Sequence, residues 1–121
     1  MRFLLLMVDG ALTREWPLER GREGYDRMIR WTKGLESRGM LRMADPLCPD
    51  AEGVRIRARG GVTMVTDGPF VETKDVVGGF VMIECASRQE AIEVAKSCPA
   101  IEWGTVEVRE IWDDPWRRRT A

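Results

Sequence analysis

Apolar residues fall along the chain in two spacings, one typical of strands and one typical of helices. Short runs that are continuously apolar, or apolar at every second position, predict six strands. These strands cover Phe3–Val8, Met40–Leu47, Val54–Arg59, Val62–Thr66, Val76–Cys85 and Thr105–Trp112. Two of them, Phe3–Val8 and Val76–Cys85, are apolar on both faces, which is typical of strands buried on both sides.

In two other segments apolar residues recur every three or four positions, and these segments are predicted to be helices. The first runs from about Leu18 to Arg38 and ends before Gly39, a residue that suits the position after a helix. The second follows a capping box, in which Ser87 accepts from the amide of Glu90 and the Glu90 carboxylate reaches back. It stops at Pro99.

Glycine marks two predicted turns. Gly60-Gly61 joins two alternating runs and predicts a hairpin, since both turn positions accept a positive φ angle. In the turn from Asp67 to Phe70, Asp67 can bond its own backbone, Gly68 supplies an unusual φ angle and Pro69 restricts the chain.

The order strand, helix, strand, hairpin, strand, helix, strand predicts an α+β fold. It corresponds to a ferredoxin-like antiparallel sheet with two helices on one face and an inserted β-hairpin. Because two helices cover only one face, the other face of the apolar strands needs a partner, and a second copy of the sheet supplies one. We therefore expect a homodimer.

Length and composition limit the kinds of functional site that this chain can form. The 121 residues, 44% of them hydrophobic, fit one domain, predicted to span residues 1–112, followed by a polar tail at 113–121. The chain has no histidine, which excludes a Ser-His-Asp triad, a Cys-His dyad and histidine ligands to a metal. The carboxylates are scattered, so no metal site is predicted. A general base near neutral pH has to be a perturbed carboxylate, lysine or cysteine.

The cysteines and the apolar run at the start of the chain indicate the cellular compartment in which the protein is expected. Cys48, Cys85 and Cys98 are widely spaced and lack a CxxC motif, which favours a reducing cytoplasm over a disulfide framework. Cys85 and Cys98 are interpreted as packed thiols. The opening run Phe3–Val8 is too short to span a membrane and lacks a signal-peptide cleavage region, so we expect a cytoplasmic protein without membrane contact.

Asp67, Glu72 and Lys74 form the sharpest group of candidate functional residues. Two carboxylates and an ammonium within eight residues, around a rigid turn, suit the orientation of a polar ligand. Asp67 is the candidate catalytic acid or base, if desolvation raises its pKa. A structural role is also open, because Asp67 is a common turn residue and Glu72 can pair with Lys74.

Two further sets of charged residues lie on predicted strands. Glu107 and Arg109 alternate with two valines; if the valines face the helices, the charged pair faces the dimer interior, where it pairs or meets a ligand. A stripe of arginines occupies one side of the hairpin, at Arg55, Arg57 and Arg59. The net charge of −1 and the lack of interleaved aromatic residues argue against direct nucleic-acid binding, so the stripe is interpreted as a solvated face.

The string TDGPFVETK, from Thr66 to Lys74, resembles the YCII-related family, specifically its DGPF-domain branch. Gly78-Gly79-Phe80, the opening strand, and Gly104 with residues 106–109 match as well, so the resemblance extends from Met1 to about Ile111. It implies a dimeric α+β barrel but no known reaction. Some members resemble enzymes with a His-Asp pair in the cleft, and that histidine falls near Met28 here, so the His-Asp chemistry does not carry over.

Two functions from different classes are compatible with these residues. The first is a small-molecule-binding protein or cofactor-free enzyme, with a pocket lined by Met7, Asp9, Met28 and the DGPF turn. In it, Asp67 is the acid or base, and Lys74 and Arg109 bind a small polar or anionic ligand.

The second function is a non-catalytic dimeric interaction module. Other DGPF proteins are associated with sigma-factor signalling in bacteria. The resemblance therefore implies an accessory role in transcription regulation for this chain. No cofactor is predicted under either function, because neither glycine pair, Gly60-Gly61 or Gly78-Gly79, has the spacing of a phosphate-binding loop.

Overall fold

A four-stranded antiparallel sheet with helices packed on one face forms the body of the protein. The computed structural model describes residues 1–9, 16–70 and 75–114. The elements within them are, in chain order, β1 Arg2–Asp9, α1 Leu18–Ser37, β2 Leu41–Pro46, β3 Val54–Arg59, β4 Val62–Asp67, β5 Val76–Glu84, α2 Arg88–Lys96 and β6 Gly104–Glu110. The strand order in the sheet is β2-β5-β1-β6, so the predicted ferredoxin-like α+β fold is confirmed.

The predicted boundaries hold to within two residues. The largest differences are at α2, which ends at Lys96 rather than just before Pro99, and at the last strand, which ends at Glu110 rather than at Trp112. The predicted tail begins at Asp113, and residues 115–121 of it lie outside the described residues. No helix in the described part of the chain is both long and apolar enough to cross a membrane.

Period-two alternation along β1 builds the core. β1 pairs with β5 on one side and with β6 on the other, so every second side chain faces the helices. On that face Phe3, Leu5 and Met7 are at most 6% exposed. They pack against buried side chains of β5 and of both helices, namely Val81, Ile83, Leu35, Ala91, Val94 and Ala95.

The opposite face of the sheet, which we call the open face, is apolar at its centre. Its central residues are only partly buried in the single chain, and they are Leu4, Leu6, Val8, Phe80 and Met82. This follows from the topology, because both helices lie on the other side. The apolar excess predicted for the two central strands is therefore present on a surface that this chain alone does not cover.

Helix ends follow the predicted signals. The Ser87 hydroxyl accepts a hydrogen bond from the Glu90 amide at 3.1 Å, and the Glu90 carboxylate accepts from the amide of Ala86 at 3.3 Å. The capping box is thus present, with the carboxylate one residue further back than the standard pattern. Gly39 adopts φ +72° after α1, as the helix-end prediction requires.

The inserted hairpin forms a separate two-stranded sheet of β3 and β4. Gly60 and Gly61 have φ angles of +58° and +79°, which is the twist-matched turn that the glycine pair predicts. Side chains along both strands are exposed except that of Arg55, which is half-buried. Arg55 lies over the ring of Phe70, with 3.9 Å between the guanidinium carbon and the ring centroid.

Gly68 is constrained by space and not by its φ angle, so the predicted reason for this glycine is wrong. Among the described residues, positive φ angles occur at Gly39, Gly60 and Gly61. A Cβ on Gly68 would instead overlap the carbonyl oxygen of Asp50. That carbonyl also accepts the Gly53 amide at 3.0 Å, so it is not free to move away.

We expect Gly68→Ala to destabilise the protein by about 1–3 kcal/mol, the range typical of overpacking against backbone that cannot yield. Gly21→Ala is the matched control, since Gly21 lies inside α1 with no atom within 4 Å of an added Cβ. That change should be neutral or stabilise by up to about 1 kcal/mol. Urea or thermal unfolding decides the matter, and equal midpoints for Gly68→Ala and wild type would contradict the steric account.

Candidate functional site

A cleft lies between the sheet and the N-terminal half of α1. It consists of an inner cavity of about 160 Å³ and an adjoining outer cavity of about 310 Å³. Five residues line both cavities, and these shared residues are Asp9, Tyr25, Met28, Gly78 and Trp103. We call this combined space the Asp9 cleft, because Asp9 supplies the carboxyl group common to its two parts.

The position of Asp9 follows from the strand that carries it. Asp9 is the fourth residue in the alternating series of β1 that begins with Phe3, Leu5 and Met7, so it faces the helices like them. At Asp9, however, the tightly packed core has ended and the cleft begins. The periodicity that builds the core therefore delivers one carboxyl group to the floor of the cleft.

Glycines on both neighbouring strands make room for this carboxyl group. A Cβ on Gly78 of β5 would overlap Asp9 Oδ2, and a Cβ on Gly104 of β6 would lie 3.0 Å from Oδ1 and 2.6 Å from the Val8 carbonyl oxygen. Gly78 also lies at an irregularity in the pairing of β1 with β5, where Met7 pairs with Gly79 and Val8 with Val77. This β-bulge and the two glycines together accommodate the Asp9 side chain.

The Asp9 carboxyl group is poorly compensated. Oδ1 is buried and has no hydrogen-bond partner among the described residues. Burial raises the pKa of Asp9 above its ordinary value, because desolvation disfavours the charged form. No lysine or arginine of the described chain lines either cavity to offset this effect.

Aromatic side chains form the outer wall. The rings of Trp16 and Trp103 meet edge to face, with centroids 5.4 Å apart and an interplanar angle of 74°. Both rings lie next to Gly24, where an added Cβ would be in ordinary van der Waals contact with them at 3.5–3.6 Å. On these two rings lie guanidinium groups, that of Arg20 at 4.3 Å and that of Arg27 at 5.7 Å from the ring centroids.

The three cysteines have different surroundings. Cys98 is 3% exposed, lies 3.8 Å from Met28 Sδ, and burial raises its pKa to about 11, so it is a packed thiol as predicted. Cys85 is half-buried and its Sγ donates to the Ser87 carbonyl oxygen at 3.3 Å. Cys48 is exposed and lines the outer cavity.

The structure divides the predicted site residues into separate groups. Asp9 and Met28 line the cleft, and Glu72 and Lys74 lie outside the described residues. Asp67 ends β4, is exposed, and lines neither cavity, because the hairpin carries it away from the four-stranded sheet. A ligand-binding role for Asp67, Glu72 and Lys74 stays a prediction.

Arg109 is also placed away from the cleft. Val106 and Val108 pack against the core, so Glu107 and Arg109 lie on the open face, as the alternation predicts. Their charged groups are 3.9 Å apart and both side chains are more than half exposed. The structure thus does not bring Arg109 together with Asp9, and a ligand-binding role for Arg109 also stays a prediction.

Sequence reasoning missed most of the aromatic wall. Tyr25 lies at helical spacing within the first predicted helix, and nothing in that spacing indicates that it is 50% exposed and lines the cleft. Trp16 lies two residues before α1 and Trp103 one residue before β6, and neither belongs to a periodic pattern. A metal site is not indicated either, since no three His, Cys, Asp or Glu side chains of the described chain are grouped as ligands.

Comparison with known proteins agrees with this architecture. The model of the YCII-related domain matches residues 1–117. An uncharacterised protein of Rhizobium meliloti (strain 1021) is 32% identical over 97 residues, which cover 77% of this chain and 75% of the relative.

A solved structure also has this fold. The 5-chloro-2-hydroxyhydroquinone dehydrochlorinase of Burkholderia phenoliruptrix AC1100, in complex with 2,5-dihydroxybenzoquinone, matches with a TM-score of 0.53 at 16% identity, over 94% of this chain and 96% of the other. At that identity the similarity establishes the fold alone. The match over residues 1–117 and the identity to the curated relative establish the family: the chain belongs to the YCII-related family.

Proposed function

We propose that this protein binds a small organic molecule in the Asp9 cleft and acts on it as a cofactor-free acid–base enzyme. The observation that carries the proposal is the Asp9 carboxyl group, whose Oδ1 is buried without a partner among the described residues, in a cleft with largely apolar walls. Buried polar atoms are normally hydrogen-bonded, so an unpartnered one in a cavity suggests a ligand that supplies the partner.

The environment of Asp9 suits proton transfer. A general base works best when its pKa lies near the working pH, and burial moves the pKa of Asp9 upward in that direction. In the proposed step the ionised carboxylate accepts a proton from an acidic C–H, N–H or O–H bond of the substrate. The carboxylic acid so formed returns the proton to another atom of the same molecule, so no oxidant or reductant is needed.

The dimensions of the inner cavity suit a compound with one ring. Its volume is about 160 Å³, and an apolar cavity of about 150 Å³ is sufficient for benzene. The dehydrochlorinase with this fold is named for action on a chlorinated hydroxyhydroquinone and was solved with a quinone bound. This supports a ring-shaped substrate, with its polar groups directed toward Asp9.

We also propose that a second copy of the chain covers the open face. Leu6 lies at its centre, paired with Phe80 on one side and Glu107 on the other, and large apolar patches on a monomer mark interaction sites. Sheet-to-sheet packing would bury roughly 2,000 Å² or more, as in obligate dimers. The non-catalytic interaction module remains the alternative function, and a cleft that binds nothing would favour it.

The ionisation of Asp9 should be visible in the pH dependence of stability. Since the folded-state pKa is raised, the folded protein loses stability as pH rises from the ordinary value of 3.8 through the raised one. Asp9→Asn removes this cost, so we expect it to unfold at a higher temperature than wild type at pH 7, with a gap that shrinks toward pH 3.5. Asp67→Asn, at an exposed position, should remain near wild type throughout. A lower melting temperature for Asp9→Asn at pH 7 would argue against an uncompensated carboxylate.

Ligand binding can be followed at Cys48, which is exposed in the outer cavity. Small ring compounds that raise the melting temperature should also slow alkylation of Cys48 in the wild-type protein. The buried Cys98 serves as an internal reference, since it should react at least about tenfold more slowly with or without ligand. If no compound in a broad metabolite library gives both effects, the small-molecule function is wrong and the interaction module gains support.

A matched pair of variants tests the proposed dimer. Leu6→Lys places a charge at the centre of the open face and should shift sedimentation at low micromolar concentration from dimer to monomer. Leu18→Lys makes the same change at a residue that is 89% exposed at the start of α1, and it should leave the dimer intact. A wild-type chain that sediments as a monomer would exclude the proposed interface.

A further inference from the structure

We infer that the ligand of the Asp9 cleft carries a positive charge, as an amine or quaternary ammonium attached to a small apolar or aromatic body. This inference rests on the proposed function, because it names the substrate class of the same site. It departs from the polar or anionic ligand expected from Lys74 and Arg109, of which Arg109 lies on the open face.

The charged side chains that line the cleft within the described chain are all negative. The charged residues among its described lining are all aspartates: Asp9 in both cavities, Asp45 in the inner one and Asp50 in the outer one. A bound anion would gain most from a lysine or an arginine, and the described lining contains neither. A cation would meet at least one carboxylate at either end.

The buried carboxylate gains most from a cationic partner. An ionised carboxylate removed from water is costly unless it is paired and hydrogen-bonded. Asp9 Oδ1 lacks such a partner in the described chain, and Arg20 and Arg27, which lie over the tryptophan rings, do not line either cavity. An ammonium group bound at Asp9 would supply both the missing charge and the missing hydrogen bond.

The aromatic wall adds a second attraction for a cation. Trp16, Tyr25 and Trp103 line the outer cavity, and the faces of aromatic rings, of tryptophan above all, attract cations. Guanidinium groups already lie over the rings of Trp16 and Trp103, so we assign the attraction for a bound cation to Tyr25, which lines both cavities. A carboxylate beside aromatic rings, with an apolar inner cavity behind it, matches an ammonium group joined to a hydrophobic body.

A series of three probes that share one ring separates charge from shape. Benzylamine is cationic at pH 7, benzyl alcohol is neutral and benzoate is anionic. Each is titrated into the wild-type protein by calorimetry or ligand-observed NMR. A hydrogen bond to a charged group corresponds to roughly 10- to 100-fold in affinity, so benzylamine should bind the wild type at least about tenfold more tightly than benzyl alcohol, and benzoate should bind most weakly.

Two variants test whether Asp9 causes the preference for benzylamine. Asp9→Asn keeps the size of the side chain and removes the charge, so the preference for benzylamine over benzyl alcohol should fall to about threefold or less. Asp26→Asn is the matched control, since Asp26 is exposed on α1 and lines neither cavity, and it should keep the wild-type preference. Protection of Cys48 from alkylation by benzylamine, and not by benzoate, gives an independent measurement on the unmodified chain.

The outcomes distinguish this inference from the proposed function. Tighter binding of benzyl alcohol or benzoate would overturn the cationic substrate class and leave a small-molecule site in place. An undiminished preference in Asp9→Asn would also overturn it, because the cation would then bind elsewhere. If none of the three probes binds or protects Cys48, the inference is wrong, and the separate metabolite screen decides whether the proposed function fails with it.

Discussion

The pairing of β1 with a strand on each side determines most of what this molecule can do. Full-length ladders to β5 and β6 leave β1 no freedom to rotate, so its side chains alternate strictly between the two faces. Burying a side chain such as Phe3 or Leu5 contributes about 1.5–3 kcal/mol each, and a one-residue slip would expose them all. The same register holds Asp9 on the helix side, despite the cost of desolvating its carboxyl group.

The Asp9 cleft depends on neighbouring residues that have no side chain. Gly78 and Gly104 have no Cβ, and either methyl group would occupy the space that the Asp9 carboxyl group fills. Both glycines were recognised in the sequence as part of the family resemblance, but without a reason for being glycine. The structure supplies the reason, and it differs from the one at Gly60 and Gly61, where a positive φ angle is what glycine permits.

Local signals predicted the fold well because each acts within a few residues. The continuous apolar run of β1, the Ser87 capping box and the glycine pair of the hairpin are all short-range signals, and the strand, the cap and the turn that they predict are all present. The cleft depends on contacts between segments distant in the chain. Trp16 meets Trp103 across 87 positions, and Asp67 is carried out on a hairpin of its own, although its turn is the most distinctive motif. Asp67 lines neither cavity, so its ligand-binding role stays a prediction, whereas Asp9, at the end of β1, lines both cavities.

The absence of histidine gives the apolar walls of the cleft a chemical role under the proposed function. Histidine titrates near neutral pH without help, whereas an aspartate does so only when its surroundings disfavour the charge. Here the cause of the raised pKa is burial alone. Met28, an apolar residue, lines the same two cavities as Asp9. A cation entering the cleft would have the opposite effect on the pKa of Asp9, because it favours the ionised carboxylate.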